Sequence, residues 1–201
     1  MVKDMNIKKR KKIKDKLKGS SVGIAGAGGL GSNSAISLAR TGIGRLVIVD
    51  FDIVEESNLD RQYYFQDQIG KVKVEALKNN ISKINSDVKV EIYKKKLTKG
   101  GMDKYFKNVD VIIEALDSAE IKTQFIEEIM LKLPDIPVVA ASGVAGYGHS
   151  DRIKTKYLGN LYMVYDEKAE SSERDILTAP RVTLIANWQA NVVLEILIGA
   201  D

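Results

Sequence analysis

The stretch Asp50-Phe51-Asp52-Ile53-Val54-Glu55-Glu56-Ser57-Asn58-Leu59-Asp60-Arg61-Gln62 is dense with side chains that hold nucleotides and metals. Its carboxylates can accept from sugar hydroxyls or bind a hard cation, and Arg61 can neutralise phosphate. Two further groups belong with it: Lys73, in Gly70-Lys71-Val72-Lys73, and Asp117, in Ala115-Leu116-Asp117-Ser118. Upstream, Val22-Gly23-Ile24-Ala25-Gly26-Ala27-Gly28-Gly29-Leu30-Gly31-Ser32 reads as a buried strand, a glycine turn and a helix start. Gly26 permits the tight turn, Gly28 lets the backbone approach phosphate, and Gly31 lets the helix pack on the strand. The helix N-terminus behind the turn offers unpaired N–H groups to an anion. With Asp50 at the tip of the next strand to hold ribose hydroxyls, the unit points to an adenosine nucleotide. By itself the turn does not separate a redox dinucleotide from ATP.

The elements that must position these groups alternate between strand and helix. Strands are expected over Val22–Ala25, Leu46–Asp50, Val88–Tyr93, Val109–Ala115 and Val138–Ala140. A helix from about Leu30 to Thr41 is stopped by Gly42 and Gly44, and another follows Gly70, with Val72, Ala76, Leu77, Ile81 and Ile84 at helical spacing. A third helix spans Ala119–Leu133, and Pro180 opens a last one. Gly159-Asn160 joins two short strands near Arg152–Tyr157 and Leu161–Tyr165, while the polar segment Asp166–Ala179 is expected to be mobile. The pattern predicts an α/β fold, doubly wound and Rossmann-like, whose mostly parallel sheet carries antiparallel edge strands. A nucleotide in such a sheet lies outside the carboxyl ends of the strands, which gathers Gly26–Gly31, Asp50–Arg61, Ala115–Ser118 and Ser142–His149.

Composition excludes several chemistries. There is no cysteine in the 201 residues, hence no disulfide, Cys-based zinc site or thioester on this chain, and His149 is the only histidine. With 44% hydrophobic and 29% charged residues the chain reads as a soluble globular protein. It has neither an apolar run of about 18 residues nor an apolar leader, so no membrane span is expected and a cytoplasmic location is the default. A basic arm over residues 1–18 carries nine Lys/Arg against Asp4 and Asp15, so the domain over residues 19–201 is net acidic. The arm is either a solvated helix or a contact for a second subunit or phosphate. Nucleic acid is not expected there, because no aromatic platform accompanies the charges.

In order and spacing, Gly-Ala-Gly-Gly-Leu-Gly-Ser, Asp-Phe-Asp-x-Val-x-x-Ser-Asn-Leu-x-Arg-Gln, Gly-x-x-Lys and Leu-Asp-Ser resemble the ThiF/MoeB/HesA family, relatives of the ubiquitin-activating enzymes. The compact bacterial ThiF-like proteins of thiamine biosynthesis are the members it resembles most. The resemblance implies an adenylyltransferase that uses ATP and Mg2+ to activate the C-terminal glycine of a small ubiquitin-like sulfur carrier (ThiS-like) ending in Gly-Gly. It also implies a homodimer. Carried over by position, Gly29 would lie against the nucleotide and Asp50 would hold the ribose. Asn58, Arg61 and Lys73 would contact the triphosphate. Asp117 would hold magnesium near the α-phosphate, with Asp52 assisting. The nucleophile is already a carboxylate, so no general base is required.

Three departures bear on the outcome. The family's Cys-x-x-Cys zinc pairs are missing, so no zinc is expected. With no acceptor cysteine, this chain's own chemistry should stop at the acyl adenylate, and sulfur must come from another protein. Arg10 is the only arginine before the first strand that could reach a partner subunit's site. Arg181 is a candidate guide for a carrier tail, His149 reads as a loop residue and Trp188 as packing. Two other readings remain open: an NAD-dependent oxidoreductase, and a non-catalytic nucleotide-binding partner of a ubiquitin-like protein.

Overall fold

The computed structural model describes residues 2–169 and 175–199. Seven strands form one sheet: β1 (Ser21–Ala25), β2 (Arg45–Asp50), β3 (Lys89–Lys94), β4 (Val111–Glu114), β5 (Val138–Ser142), β6 (Lys154–Leu158) and β7 (Leu161–Tyr165). Their order is β3-β2-β1-β4-β5-β7-β6. The chain steps outward through β1, β2 and β3, then returns to the other side of β1 with β4, so the reversal of direction falls between β1 and β4. Loops after those two strands diverge there and leave a crevice. All neighbours run parallel except β6 and β7. The hairpin at Gly159-Asn160 thus adds one antiparallel strand, because β7 itself pairs parallel to β5.

Strands buried on both faces need an apolar layer on each, and the two layers are unequal. One face carries Val22, Ile24, Leu46, Ile48, Val111 and Ile113 against α2 (Gly29–Thr41), α3 (Lys73–Ile84) and α5 (Ala179–Ile198). The other carries Ala25, Val47, Val49 and Ile112 against α4 (Ala119–Lys132) and the turn Asp103–Tyr105, where Phe106 meets Phe125 edge-on at 5.6 Å. The basic arm is helical, α1 (Val2–Lys18). It buries Leu17 and part of Ile13 and leaves Lys8, Arg10, Lys11, Lys12, Lys14, Lys16 and Lys18 exposed. No described helix is long and apolar enough to cross a membrane.

The polar segment before α5 is anchored at both described ends. Asp166 is buried against Arg181, and Leu177 bridges to Gly146. The middle of the segment expected to be mobile, residues 170–174, lies outside the described residues.

Candidate active site

A cavity of about 570 Å³ opens at the carboxyl ends of β1 to β4. Its floor is the glycine turn. Gly26 has φ +99°, and a Cβ there would stand 2.5 Å from the Ala115 carbonyl oxygen. A Cβ on Gly31 would fall 1.9 Å from the Gly26 carbonyl oxygen, so α2 can start this close to β1 only with glycine at that position. Gly31 therefore shapes the turn from behind without lining the cavity. Gly28 faces open space, with Gln62 Nε2 the nearest atom at 3.9 Å from where a Cβ would sit. Gly29 lines the cavity beside Val182 of α5.

Asp50 fastens this turn to the end of β2. Its Oδ2 accepts from Ala27 N at 2.6 Å and its Oδ1 from Asp52 N at 2.7 Å. Burial raises its pKa, opposed by those two N–H groups and by Lys73. Each oxygen keeps a second lone pair, so the carboxylate can still accept from a pair of ligand hydroxyls. From below, the Tyr64 hydroxyl donates to the Ala27 carbonyl at 2.7 Å; burial, with Asp50 and Asp52 nearby, pushes that phenol upward.

The irregular segment after β2 is laid across the start of α2 by side-chain bonds. Asn33 Nδ2 donates to the carbonyls of Gly29 and Arg61, at 2.7 and 2.9 Å, and Ser32 Oγ accepts from Tyr63 N at 3.0 Å. Arg61 is thereby placed at the cavity, its Nη1 donating to the Ser57 carbonyl at 2.8 Å and to Asp60 Oδ1 at 2.6 Å. Lys73 sits where α3 begins. Its side chain is 8% exposed, and Nζ lies 3.2 Å from Asp52 Oδ2. An ammonium has three donors, so one carboxylate leaves capacity for a ligand anion.

Across the cavity, Asp117 is exposed at the end of the β4 loop, with Oδ1 accepting from Ser118 N at 2.8 Å. Ser118 caps α4, its Oγ accepting from Ile121 N at 3.4 Å, so Asp117 is not needed as the cap. Beneath the loop, fully buried Glu114 accepts from Leu116 N at 2.7 Å and from Lys122 Nζ at 2.5 Å. Burial raises the Glu114 pKa against the pull of Lys122, which also donates to the Ala141 carbonyl at 3.0 Å. This links the ends of β4 and β5 to α4 and sets where Asp117 stands.

The expected residues Gly26, Gly28, Gly29, Asp50, Asp52, Arg61, Lys73 and Asp117 thus line one cavity. Asn58 does not. It is buried, and its Oδ1 accepts from Glu55 N at 3.1 Å to cap the turn that delivers Arg61. Arg181 is likewise architectural: its Nη2 bonds Asp166 Oδ2 at 2.6 Å and its Nη1 the Gly148 carbonyl at 3.2 Å, deep inside, so it cannot meet a carrier tail. Trp188 packs against the core and donates from Nε1 to Thr155 Oγ1 at 2.9 Å, and His149 stands exposed in its loop.

Among the apolar lining residues, Leu116 and Val144 lie in loops already expected at the site, whereas Leu97, Ile121, Leu177 and Val182 escape the sequence reading. Leu97, Leu116 and Ile121, from the apolar cluster on one face of the sheet, and Val144, Leu177 and Val182, from the cluster on the other, supply the apolar flanks of the cavity. Lys95 and Lys96 also line the cavity, and their place directly after β3 was a usable signal, since ligands lie beyond strand ends. Leu177 and Val182 arrive through long-range packing and have no local signal.

The residues present fit a nucleoside triphosphate. Gly28 leaves a cradle that a side chain would intrude on, the cations suit the phosphates, and Gln62 Oε1 is buried without a partner at the cavity's edge. The described residues contain no cluster of three metal-ligating side chains. Asp117 offers one exposed carboxylate at the cavity, and Mg2+ is commonly held by one or two carboxylates together with substrate phosphates.

Comparison with known proteins places the chain among named relatives. A chain of the adenylyltransferase and sulfurtransferase UBA4 from Saccharomyces cerevisiae is 29% identical over 191 residues, covering 92% of this chain and 43% of the relative. The tRNA threonylcarbamoyladenosine dehydratase of Bacillus subtilis is 34% identical over 131 residues, covering 64% of this chain and 51% of that protein. The chain therefore spans about half the length, or less, of these relatives. Among solved structures, the E. coli tRNA N6-threonylcarbamoyladenosine dehydratase TcdA in complex with AMP superimposes with a TM-score of 0.85 at 21% identity, covering 93% of this chain and 89% of that one, which shows a shared fold. The ThiF family model matches residues 4–201, and the chain belongs to the ThiF family.

Proposed function

We propose that this protein is an ATP-dependent adenylyltransferase that activates a carboxylate, the client being the C-terminal glycine of a ThiS-like ubiquitin-fold sulfur carrier of thiamine biosynthesis. The observation that carries the reading is the division of the cavity. Arg61 and Lys73 stand on one side of the glycine turn and the exposed carboxylate of Asp117 on the other.

ATP would lie with its base between the apolar flanks, its ribose on Asp50 and its phosphates over Gly28 and Gly29. The client carboxylate oxygen attacks the α-phosphorus, and the bond to the bridging α–β oxygen breaks. An acyl adenylate and pyrophosphate result. Arg61 and Lys73 neutralise charge growing on the leaving pyrophosphate. Mg2+, held through Asp117 and the phosphates, would supply Lewis-acid stabilisation. No residue here can take the acyl group as a thioester, since cysteine is absent. UBA4, named as an adenylyltransferase and sulfurtransferase, supports a sulfur-carrier client. A homodimer belongs to the same reading and is checked by sedimentation.

The test is carrier-dependent exchange of labelled pyrophosphate into ATP. Exchange that needs a Gly-Gly terminus and disappears in Asp117→Ala supports the proposal; NAD binding that ATP does not displace counts against it. A second reading keeps the chemistry and changes the client to a carboxylate carried on RNA. It is favoured by the 34% identity to a protein named for action on threonylcarbamoyladenosine in tRNA.

A further inference from the structure

A second basic segment lies beside the cavity, separate from α1. Residues 94–107 hold six lysines, Lys94, Lys95, Lys96, Lys99, Lys104 and Lys107, against the single acid Asp103. All six lysines are exposed. Two carboxylates of this edge are already paired, Asp103 with Lys132 at 2.9 Å and Lys107 at 3.7 Å, and Glu91 with Lys89 at 3.2 Å and Arg45 at 3.4 Å. Lys94, Lys95, Lys96, Lys99 and Lys104 have no carboxylate partner among the described residues. The cluster repels itself, and a polyanion would relieve that.

Aromatic rings are set among these charges, as they are not on α1. Phe51 and Tyr93 are 48% and 38% exposed. The Lys96 ammonium lies 5.3 Å from the Phe51 ring centre, and Lys104 Nζ lies 5.0 Å from that of Tyr105. The Tyr93 and Tyr105 rings are 5.0 Å apart. The segment is also held rigidly: buried Glu128 accepts from Gly100 N at 2.6 Å and Met102 N at 2.9 Å, and Met102 and Phe106 are in the core. A preorganised surface of lysines and aromatic faces suits unstacked bases with their phosphates better than it suits acidic side chains, which gain nothing from a ring face.

We propose that the β3 edge and residues 94–107, with Phe51, Tyr93 and Tyr105, form a single-stranded RNA-binding surface that runs into the mouth of the cavity through Lys95 and Lys96. The proposal deepens the RNA-borne reading of the site, and its test is read without ATP, so it can fail while the adenylation site stands. A fluorescein-labelled RNA stem–loop is titrated with the full chain by anisotropy at several salt concentrations, with poly-L-glutamate as competitor. In Lys94→Glu/Lys99→Glu/Lys104→Glu, RNA affinity should fall at least ~10-fold and the log–log salt slope should drop by about 2, at roughly 0.7 per lost phosphate contact. Tyr93→Ala should cost roughly 10-fold with the slope unchanged, as expected for loss of a stacked base. The matched variant Lys8→Glu/Lys11→Glu/Lys12→Glu on α1 should cost less than about threefold, because its charges act only through screened solvent. ATP binding, followed separately, should persist in all three and reports that they fold. Absence of RNA binding, equal loss in the α1 variant, or competition by poly-L-glutamate as strong as by unlabelled RNA would overturn the proposal, the last in favour of an acidic protein partner.

Discussion

Two cation–carboxylate pairs in this molecule have similar geometry and opposite uses. Lys73 Nζ lies 3.2 Å from Asp52, whose side chain is 42% exposed at the cavity. Arg181 lies 2.6 Å from Asp166, and both side chains are no more than 4% exposed. Both terminal nitrogens of Arg181 are used inside the protein, on Asp166 and on the carbonyls of Gly148 and Gly143. Lys73 spends one contact on a carboxylate that water also reaches and keeps donors for something else. What separates the two is access: the Arg181 pair is sealed inside the protein, with its Nε buried and without a partner, whereas the Lys73 pair stands at a cavity wall that a ligand can reach. The pairs also close the cavity from different sides, since Arg181 fixes the loop of Val144 while Lys73 reaches in from α3.

Replacing either cation should separate the two uses. Arg181→Met leaves Asp166 buried and unpaired, which should cost about 3–5 kcal/mol in urea denaturation while ATP affinity of the folded fraction persists. Burial raises the Asp166 carboxyl, yet the Lys168 N–H and the Arg181 guanidinium outweigh it and hold the pKa below its usual value. With a folded pKa depressed in this way, the pair's contribution is complete above the unfolded value of ~3.9 and is lost as pH falls through the folded one. The deficit of Arg181→Met should therefore be largest near neutrality and shrink in acid. Lys73→Met is the mirror case. Pyrophosphate exchange should fall roughly 10²- to 10³-fold, with stability changed by less than about 1 kcal/mol, since an apolar side chain fills a nearly buried position.

Asp50 carries both uses in one residue, and Asp50→Asn should show a smaller effect on each. ATP should bind roughly 10-fold more weakly, from the loss of charge-assisted hydrogen bonds. Burial raises the Asp50 pKa, so the stability it confers is present at low pH and declines as pH rises through that raised value. The wild-type curve of stability against pH should show that decline, and the variant should lack it. The smallest effect is expected of Asn58→Ala. Losing the cap on the turn should cost about 1 kcal/mol, with ATP affinity nearly unchanged, whereas a direct triphosphate contact would show in affinity first.

The half of the site built by local motifs was legible in the amino-acid order. Glycine spacing dictates the turn, and a strand tip, a helix start and a second strand tip dictate where Asp50, Lys73 and Asp117 converge. Asn58 was misplaced because its position in the run says that it matters but not how; here it shapes the turn that holds Arg61. Arg181 was misread for a related reason, as nothing local tells a buried arginine from an exposed one, and its partner Asp166 lies in a segment without periodicity. The apolar flanks were only partly visible: Val144 lies in a loop expected at the site, but Leu97 and Leu177 come from separate segments with no local signal. The charge of residues 94–107 could be read, but its neutralised acids and interleaved rings exist only once β2, β3 and α4 are assembled.

The central claim, attack of a carboxylate on the α-phosphorus of ATP, is tested most directly by oxygen transfer. A Gly-Gly-ended carrier whose terminal carboxylate is labelled with ¹⁸O is incubated with the protein, ATP, Mg2+ and a sulfur nucleophile, and the nucleotide products are analysed by mass spectrometry. The account requires AMP bearing one labelled oxygen from the carrier, with unlabelled pyrophosphate. Unlabelled AMP, or ADP with labelled phosphate, would contradict it.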